Sequence, residues 1–409
     1  MAMTLESIDI YEPDGYVDAP PHEVFAYLRR EHPVFWQDMP DGTGYWAILK
    51  HADCVEVARE PTVFSAQVGG VVLEDQVPEQ LEQTKNMLLM MDPPRHTTLR
   101  RETAPCFKAR EMARLEDRVR AICRAIMAKG AELGDVEFVH DLAALLPSQV
   151  FGELMGIPES DRAQINRWAE ITTGGQDPEV NPDGYGAGQS DASVAMATYG
   201  IEFAHRRRAE AEAEPDGDDI GARLLATEVD GQPMSDLEFG YFFVQLVTAG
   251  NDTTRTMLSS GLLTLLQHPD QLAELRRDPS LVGGAVEEIL RFANPLHYFR
   301  RTATADAVIS GQPIQAGDKL AMIYTSANRD DDAFADPQRF DIHRSPNPHL
   351  SFGIAEHFCL GVHLARLEGR IFFEELLSAF PLIELTGEPR RQRSNLNNAL
   401  KDLPVRLHA

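Results

Sequence analysis

Apolar residues recur with helical spacing through most of the chain. Between 109 and 129 they are spaced by 3, 4, 3 and 4 positions, which places Met112, Leu115, Val119, Ile122 and Ile126 on one helical face. The same kind of pattern predicts further helices. These cover 20–31, 160–170, 190–213, 219–227, 235–267, 279–293 and 361–379.

Strand signals are fewer than helix signals. They lie at 44–50 and across 301–325, where Ser310-Gly311 and Ala316-Gly317 mark turns between short apolar runs. Two polar, glycine-rich segments, 174–189 and 214–219, are predicted to be surface loops. The pattern as a whole predicts a mainly α fold with a smaller β-rich part.

The longest predicted helix is the most informative element. It opens at Ser235 with Glu238 three residues on, a capping-box pattern, and no proline follows until Pro269. At 1.5 Å per residue, 235–267 would extend for roughly 50 Å and cross the molecule. Its centre contains Ala249 and Gly250, small residues in an otherwise apolar stretch. They either leave space for a ligand beside the helix or serve a close helix contact.

Composition narrows the class of protein. The chain has 409 residues, 38 Lys+Arg and 64 Asp+Glu, so its formal charge is −26. Nucleic acids and anionic membranes need a basic face, so neither is expected as a partner. No apolar run approaches the ~18 residues that span a bilayer, and the N-terminus lacks the features of a signal peptide. We therefore expect a cytoplasmic protein without a membrane anchor.

One of the four cysteines lies at the start of a predicted helix, where a thiolate would be stabilised. Cys359 lies in the segment SFGIAEHFCLG at 351–361, directly before a predicted helix. Amide groups at a helix N-terminus stabilise a thiolate, which both a nucleophile and a metal ligand need. A single thiolate is a known axial ligand of haem iron. The residues alone leave a second interpretation open, a cysteine buried in the core.

Two further pairs are ordinary by themselves. Glu288 and Arg291 lie three residues apart on one helical face, and His96 and Arg100 lie four apart just inside a helix start, where they suit an anion. Four motifs stand in the order found in the cytochrome P-450 family: the Asp-Pro-Pro segment at 92–94, the segment 249–254 (AGNDTT), the pair at 288 and 291, and the cysteine loop at 352–361. The chain resembles the soluble bacterial members of that family over nearly its whole length.

The resemblance implies the cytochrome P-450 fold, with the long central helix crossing a haem b cofactor. It implies one oxygenase unit over 1–409, made of an α-rich haem core and a small β-rich subdomain from parts of 30–65, 295–325 and 380–409. By the same resemblance, Glu288 and Arg291 form a structural pair that maintains the fold near the haem. Arg339 is expected as its third member.

The resemblance also assigns site residues. Cys359 corresponds to the axial ligand of the iron, and Asp252 and Thr253 to the pair that relays protons to bound dioxygen. The other residues expected around the cofactor are the propionate partners His96, Arg100, Arg301 and His357, the groove residues Ala249 and Gly250, and the loop residues Phe352 and Gly361. Ala355 stands where the family usually has a glycine, and it would be strained if the backbone there has a positive φ.

The expected activity is that of a monooxygenase, which inserts one oxygen atom of O₂ into a hydrophobic substrate. Electrons would come from a ferredoxin and its reductase, because the chain has no segment for a flavin or iron–sulfur module. A peroxide-driven or otherwise non-hydroxylating enzyme and a haem-thiolate sensor without turnover remain alternatives. The ferredoxin is expected on the face of the cysteine loop. That face carries Arg101, Lys108, Arg110, Arg114, Arg366 and Arg370.

Substrate contacts are expected along several segments. Apolar or small residues dominate the expected cavity wall, and family likeness favours a steroid, a terpenoid or a branched lipid. The expected wall comprises the loop from Val68 to Leu89 and the residues Gln245, Thr248, Ala249, Leu296, His297, Phe299 and Leu396. His297 is the first candidate for recognising a polar group of the substrate, since a neutral imidazole both donates and accepts. Gln245 is the second. In the alternative, His297 bonds to backbone or to a propionate and does not contact the substrate.

Overall fold

A computed structural model describes residues 5–182, 187–213, 219–229 and 231–409. Parts of the two predicted surface loops, 183–186 and 214–218, lie outside the described residues. The helices are α1 (His22–Glu31), α2 (His51–Arg59), α3 (Pro78–Thr84), α4 (Arg95–Thr103), α5 (Ala109–Ala113), α6 (Glu116–Leu133), α7 (Leu145–Met155), α8 (Glu159–Thr173), α9 (Ala187–Ala213), α10 (Ile220–Leu225), α11 (Asp236–Gln267), α12 (Pro269–Arg277), α13 (Val282–Phe292), α14 (Tyr324–Ala327) and α15 (Val362–Ala379).

The strands are short and form small sheets. They are β1 (Val34–Asp38), β2 (Gly44–Ile48), β3 (Phe64–Ser65), β4 (Asp135–Glu137), β5 (Glu228–Val229), β6 (Gln232–Pro233), β7 (Tyr298–Ala303), β8 (Ala307–Ile309), β9 (Gln312–Ile314), β10 (Lys319–Ile323), β11 (Leu382–Leu385), β12 (Arg390–Arg391), β13 (Leu400–Asp402) and β14 (Pro404–His408). The largest sheet has the order β1-β2-β10-β7-β3. In it β10 runs parallel to β2 and antiparallel to β7, with Leu320 opposite both Trp46 and Arg301. The prediction of a mainly α fold with a smaller β-rich part is confirmed.

Helix α11 confirms the predicted long helix. It runs unbroken for 32 residues, and the hydroxyl of Ser235 accepts from the backbone N–H of Glu238 while the carboxylate of Glu238 accepts from the N–H of Ser235. Pro269 begins α12 directly after the turn at His268. Because α11 packs against α7, α8, α9, α13 and α15, it forms the centre of the helical part.

Two predicted helices differ from the structure. The segment 109–129 is divided between α5 and α6, because Arg114 and Leu115 form a turn between them. The segment 279–293 begins with a 3₁₀ turn over Pro279–Leu281 before α13. Five helices of the described residues were not predicted from the pattern: α2, α3, α7, α12 and α14. The Ser310-Gly311 turn does join two strands, β8 and β9.

The Glu288–Arg291 pair lies in the core and not on the surface. Both side chains are fully buried, and the guanidinium of Arg291 donates to the Glu288 carboxylate at 2.8 and 2.7 Å. The expectation that Arg339 is the third member is wrong. Its side chain is exposed, and only its backbone carbonyl accepts a hydrogen bond from Arg291. The second guanidinium on Glu288 belongs to Arg344, at 3.1 Å.

Among the described residues, no helix has both the length and the apolar character needed to cross a bilayer. The largest sheet draws its strands from 34–65 and 298–323. That the whole chain folds as one oxygenase unit stays a prediction.

Candidate functional site

The middle of α11 leaves open space beside it. A Cβ added at Gly250 would meet no atom within 4 Å, and the neighbouring Ala249 is exposed although α11 is central to the fold. The small residues therefore do not serve a helix contact here. Thr253, one turn on, donates its hydroxyl hydrogen to the carbonyl of Ala249 at 2.6 Å. The alternative left open by the sequence is resolved in favour of a groove.

Asp252 is an acid held next to this groove. Its side chain is buried and lies 2.9 Å from the guanidinium of Arg255, which also contacts Glu170 at 2.7 Å. Burial raises the pKa of Asp252 to about 6, although the Arg255 charge opposes the shift. A carboxyl group with a pKa near neutrality can release and take up protons under physiological conditions.

The cysteine loop has the backbone conformation that its sequence implied. Gly353 has φ 66° and Ala355 has φ 58°, so Ala355 occupies the left-handed region at a position where the family usually has glycine. A short 3₁₀ turn, Ala355–His357, follows. The N–H of Cys359 then donates to the carbonyl of Phe352 at 2.8 Å, which holds the loop closed before α15 begins.

The thiol of Cys359 experiences opposing influences. Burial raises its pKa, while the N–H of Gly361 and the charges of Arg100 and Arg366 favour the thiolate. No atom lies within 4 Å of a Cβ added at Gly361, so space is open beside the loop. Phe352 packs in the loop under the guanidinium of Arg366, 5.1 Å from its ring centroid.

Two imidazoles beside this loop lack hydrogen-bond partners. Both ring nitrogens of His96 and Nε2 of His357 are buried, and none of these three atoms has a hydrogen-bond partner among the described residues. The two rings are 4.3 Å apart between centroids. Burial lowers the pKa of His96 to about 4 and that of His357 to about 2, so both are neutral near pH 7. Unsatisfied buried nitrogens are rare in folded proteins and indicate a missing partner.

Two guanidiniums complete this set. Arg301 is buried on β7 and donates to the carbonyl of Arg300 at 2.8 Å, and Arg100 is partly buried on α4. Burial lowers the pKa of both side chains. A group with two carboxylates would supply the acceptors that these cations and the imidazoles lack. Haem, with two propionates and an iron that binds a thiolate, therefore fits the residues present.

Most of the expected substrate contacts keep accessible surface. Thr248, Leu296, Phe299 and Leu396 are all partly exposed although they lie in or beside buried segments. Gln245 is also partly exposed, and its Oε1 accepts from the N–H of Leu89 at 3.0 Å. Thr248 donates its hydroxyl hydrogen to the carbonyl of Val244 at 2.8 Å.

His297 does not have the surface that substrate recognition requires. It is 2% exposed, its Nδ1 is 2.7 Å from the hydroxyl of Thr325, and its ring centroid is 4.7 Å from that of Tyr16. The backbone N–H of His297 donates to the carbonyl of Leu396 at 2.7 Å. The burial of His297 argues against the first candidate for a polar contact and favours the alternative in which it does not contact the substrate, although its ring bonds to the Thr325 hydroxyl and not to backbone or a propionate.

The basic residues expected to receive a redox partner are partly neutralised by neighbours. Arg366 forms two hydrogen bonds with Glu287, both 2.7 Å long, and Arg370 contacts Glu116 and Glu374. Arg101 and Arg114 pair with Glu102 and Glu111. Lys108 and Arg110 are exposed.

Sequence reasoning missed a buried acid that contacts α11. Glu368 is 3% exposed on α15 and receives a hydrogen bond from the hydroxyl of Thr254 on α11 at 3.5 Å. Burial raises its pKa to about 8, so it is mostly protonated at neutral pH. A glutamate within the apolar run of α15 was the available signal.

Comparisons with known proteins agree with this geometry. The cytochrome P450 family model matches residues 190–407. A steroid C26-monooxygenase of Mycolicibacterium smegmatis is 36% identical over 395 residues, covering 94% of this chain and 90% of that protein. A methyl-branched lipid omega-hydroxylase of Mycobacterium tuberculosis is 38% identical over 393 residues, covering 93% and 90%. A Mycobacterium marinum cytochrome P450 in complex with pseudoionone superposes with a TM-score of 0.89 at 36% identity, covering 99% of each chain.

The chain belongs to the cytochrome P450 family. It is a haem-thiolate monooxygenase, an oxidoreductase that inserts one oxygen atom of O₂ into a hydrophobic substrate. Its cofactor is haem b, iron protoporphyrin IX. The expectations about family, fold, activity and cofactor are thereby confirmed.

Proposed function

We propose that this monooxygenase hydroxylates a bulky, mostly apolar lipid of the steroid, terpenoid or methyl-branched class. The names of its relatives support this class, since they include a steroid C26-monooxygenase and a methyl-branched lipid omega-hydroxylase. The wall residues Leu296, Phe299 and Leu396 add support, because they are apolar and keep accessible surface. Apolar surface of this kind binds apolar substrates by removing both from water.

In this proposal Cys359 binds the iron, and His96, Arg100, Arg301 and His357 hold the two propionates. The observation that carries the assignment is the set of unpartnered, buried imidazole nitrogens on His96 and His357. When bound, the haem supplies the activation of O₂ and the transfer of one oxygen atom to the substrate.

The chain's own residues supply space and protons. Ala249 and Gly250 leave room beside α11, and Phe352 and Gly361 shape the loop on the cysteine side. The carboxyl group of Asp252 takes up and releases the proton. The guanidinium of Arg255 holds that carboxyl group in place and is itself bound by Glu170, while the hydroxyl of Thr253, bonded to the carbonyl of Ala249, lies at the groove.

Electrons come, in this proposal, from a ferredoxin that docks on the face of the cysteine loop in the cytoplasm. Lys108 and Arg110 are the candidate contacts, because they are exposed, while Arg366 and Arg370 are engaged with acidic neighbours. Docking between exposed charges weakens as salt is raised. Reduction rates that depend neither on salt nor on charge reversal at Lys108 and Arg110 would contradict this part of the proposal.

The first experiment is spectroscopic. Reduced protein with carbon monoxide should show the strongly red-shifted Soret band of a trans thiolate, and Cys359→Ala should lose that band. Cys106→Ala is the matched control, since that free cysteine stands in the 3₁₀ turn Ala104–Phe107 and not in the segment 351–361. A band retained in Cys359→Ala would show that the ligand assignment is wrong.

The second experiment separates this function from its alternatives. Steroids, terpenoids, branched fatty acids and small aromatic acids are screened for a spin-state change of the haem, and the best ligand is then tested for NADH-dependent product in the presence of ferredoxin and its reductase. Binding without turnover would favour a sensor. Turnover only with peroxide would favour the peroxide-driven alternative.

A further inference from the structure

The face of α11 that borders the groove offers few hydrogen-bond donors. Positions 245, 249 and 253 lie on this face, because residues four apart on a helix are neighbours. The hydroxyl of Thr253 already donates to the carbonyl of Ala249, and that of Thr248 donates to the carbonyl of Val244. Ala249 has no polar side chain. Of these four positions, Gln245 therefore offers through its side-chain amide the donor that remains for a substrate.

The orientation of that amide is determined by the backbone next to it. Oε1 of Gln245 accepts from the N–H of Leu89 at 3.0 Å, and a backbone N–H can only donate. The amide nitrogen Nε2 must then point away from Leu89. In the part of the chain that the structure describes, Nε2 has no hydrogen-bond partner, and it is not among the fully buried atoms.

The surroundings place this nitrogen at the wall of the substrate space. Leu89 and Phe299 pack against the same small cluster of buried apolar side chains, and Phe299 is one of the partly exposed wall residues. Gln245 precedes Ala249 by four residues, which is about 6 Å along the helix axis. His297 is closed off by Thr325 and Tyr16 and offers no competing donor.

We infer that Nε2 of Gln245 donates a hydrogen bond to an oxygen acceptor of the substrate, a ketone, ether or ester oxygen, and thereby selects oxygenated lipids over plain hydrocarbons. The inference rests on the proposed substrate class and adds to it a polar group of defined kind. Leu89 holds the amide in one orientation, so the site presents a donor and not an acceptor. A substrate that offers only a hydrogen-bond donor at this place is disfavoured, because two donors would face each other.

The test uses the haem-loaded protein and two probes. These are pseudoionone, the ketone bound by the Mycobacterium marinum relative, and the hydrocarbon with the same carbon skeleton and no carbonyl. Dissociation constants are read from the spin-state change of the haem at about pH 8, where an accessible glutamate is ionised. The main variant is Gln245→Glu, which keeps an oxygen for the N–H of Leu89 but replaces the donor by an acceptor.

Gln245→Glu should weaken ketone binding by about two- to tenfold and leave hydrocarbon binding within about twofold. A purely structural role of Gln245 would change both probes alike. Gln245→Met, of similar shape and without a donor, should show the same selective loss and serves if the glutamate variant does not retain haem. Gln267→Glu, the same exchange at the exposed last residue of α11, is the matched control and should leave the affinities for both probes unchanged.

Two outcomes would overturn the inference in different ways. Equal ketone affinity in the parent and in both Gln245 variants would show that the amide does not bind the substrate oxygen, while the proposed substrate class would stand. If neither probe, nor any steroid or terpenoid ketone, changes the spin state of the parent, the substrate class itself fails and the inference fails with it.

Discussion

Glu368 is a buried carboxyl group that has no cationic partner among the described residues, and its replacement by glutamine should stabilise the protein in a pH-dependent way. Burial raises its pKa from 4.5 to about 8, with only the Thr254 hydroxyl opposing the shift. The folded state therefore binds a proton that the unfolded state has already lost above about pH 5. Stability contributed by this proton is complete below the unfolded pKa and is lost as the pH rises through the folded pKa.

The size of the effect follows from the shift. One pKa unit corresponds to about 1.36 kcal/mol, so the loss attributable to Glu368 between pH 5 and pH 8 is roughly 3 kcal/mol. Glu368→Gln does not titrate, and its amide oxygen can still accept from Thr254. The variant should match the parent near pH 5 within about 1 kcal/mol and should be more stable by roughly 3 kcal/mol at pH 8.

Chemical denaturation measures the free energy of unfolding of the haem-loaded parent and of Glu368→Gln, at one haem concentration and at pH 5 and pH 8. The quantity compared is the change, between the two pH values, of the difference in stability between variant and parent. Glu287→Gln is the control. Although burial opposes it, hydrogen bonds from His349 and Arg366 lower the pKa of Glu287 to about 2. The stability that Glu287 contributes is lost only as the pH falls below its unfolded pKa, so its variant should be uniformly destabilised from pH 5 to 8. A parent and a Glu368→Gln variant with parallel pH profiles would refute the reasoning.

Three other perturbations have defined outcomes. Asp252→Asn and Thr253→Ala should keep their haem but form less product per NADH, since loss of a general acid is worth ~10²–10⁴ in rate. The parent's turnover should fall as the pH rises above about 6, and this inflection should be absent from Asp252→Asn. An unchanged yield of product per NADH in both variants would exclude the proton relay. Ala355→Gly should raise stability by about 0.5–1 kcal/mol, because relief of the left-handed strain exceeds the entropy cost of glycine; denaturation midpoints measure this, and a destabilised variant would contradict it. Arg344→Gln should cost about 1.5–3 kcal/mol, because it removes one of two guanidiniums from the buried Glu288 carboxylate while Arg291 remains. Arg339→Gln, with an exposed side chain, should be nearly neutral in the same assay; equal losses would contradict the assignment.

Much of the fold was readable from local signals along the chain. The capping box at Ser235, the uninterrupted apolar pattern and Pro269 together placed the ends of α11 correctly. The departure at Ala355 marked a position where strain depends on the sign of φ, and the structure shows that φ is positive there. These features depend on residues a few positions apart, because helix periodicity, caps and turns are properties of the local backbone.

The division of 109–129 into α5 and α6 shows where local signals stop. The apolar period continues across the break, although Met112 of α5 and Val119 of α6 are buried in different core clusters, and Leu115 packs against both. Periodicity reports which side is buried, while the turn at Arg114 and Leu115 is set by how the two helices pack. The sequence alone therefore determined the apolar face but not the number of helices that carry it.

Tertiary structure decided which polar side chains meet. Arg344, and not Arg339, reaches Glu288 across 56 residues, and Thr254 meets Glu368 across 114 residues. The ring of His297 bonds to the hydroxyl of Thr325, and the amide of Gln245 accepts from the N–H of Leu89, 156 residues away in the sequence. The sequence by itself determined the family, the cofactor and the elements that carry the chemistry. Which buried donor finds which acceptor was decided by the packing of distant segments, because a buried polar group takes whichever partner the folded chain places within hydrogen-bond reach.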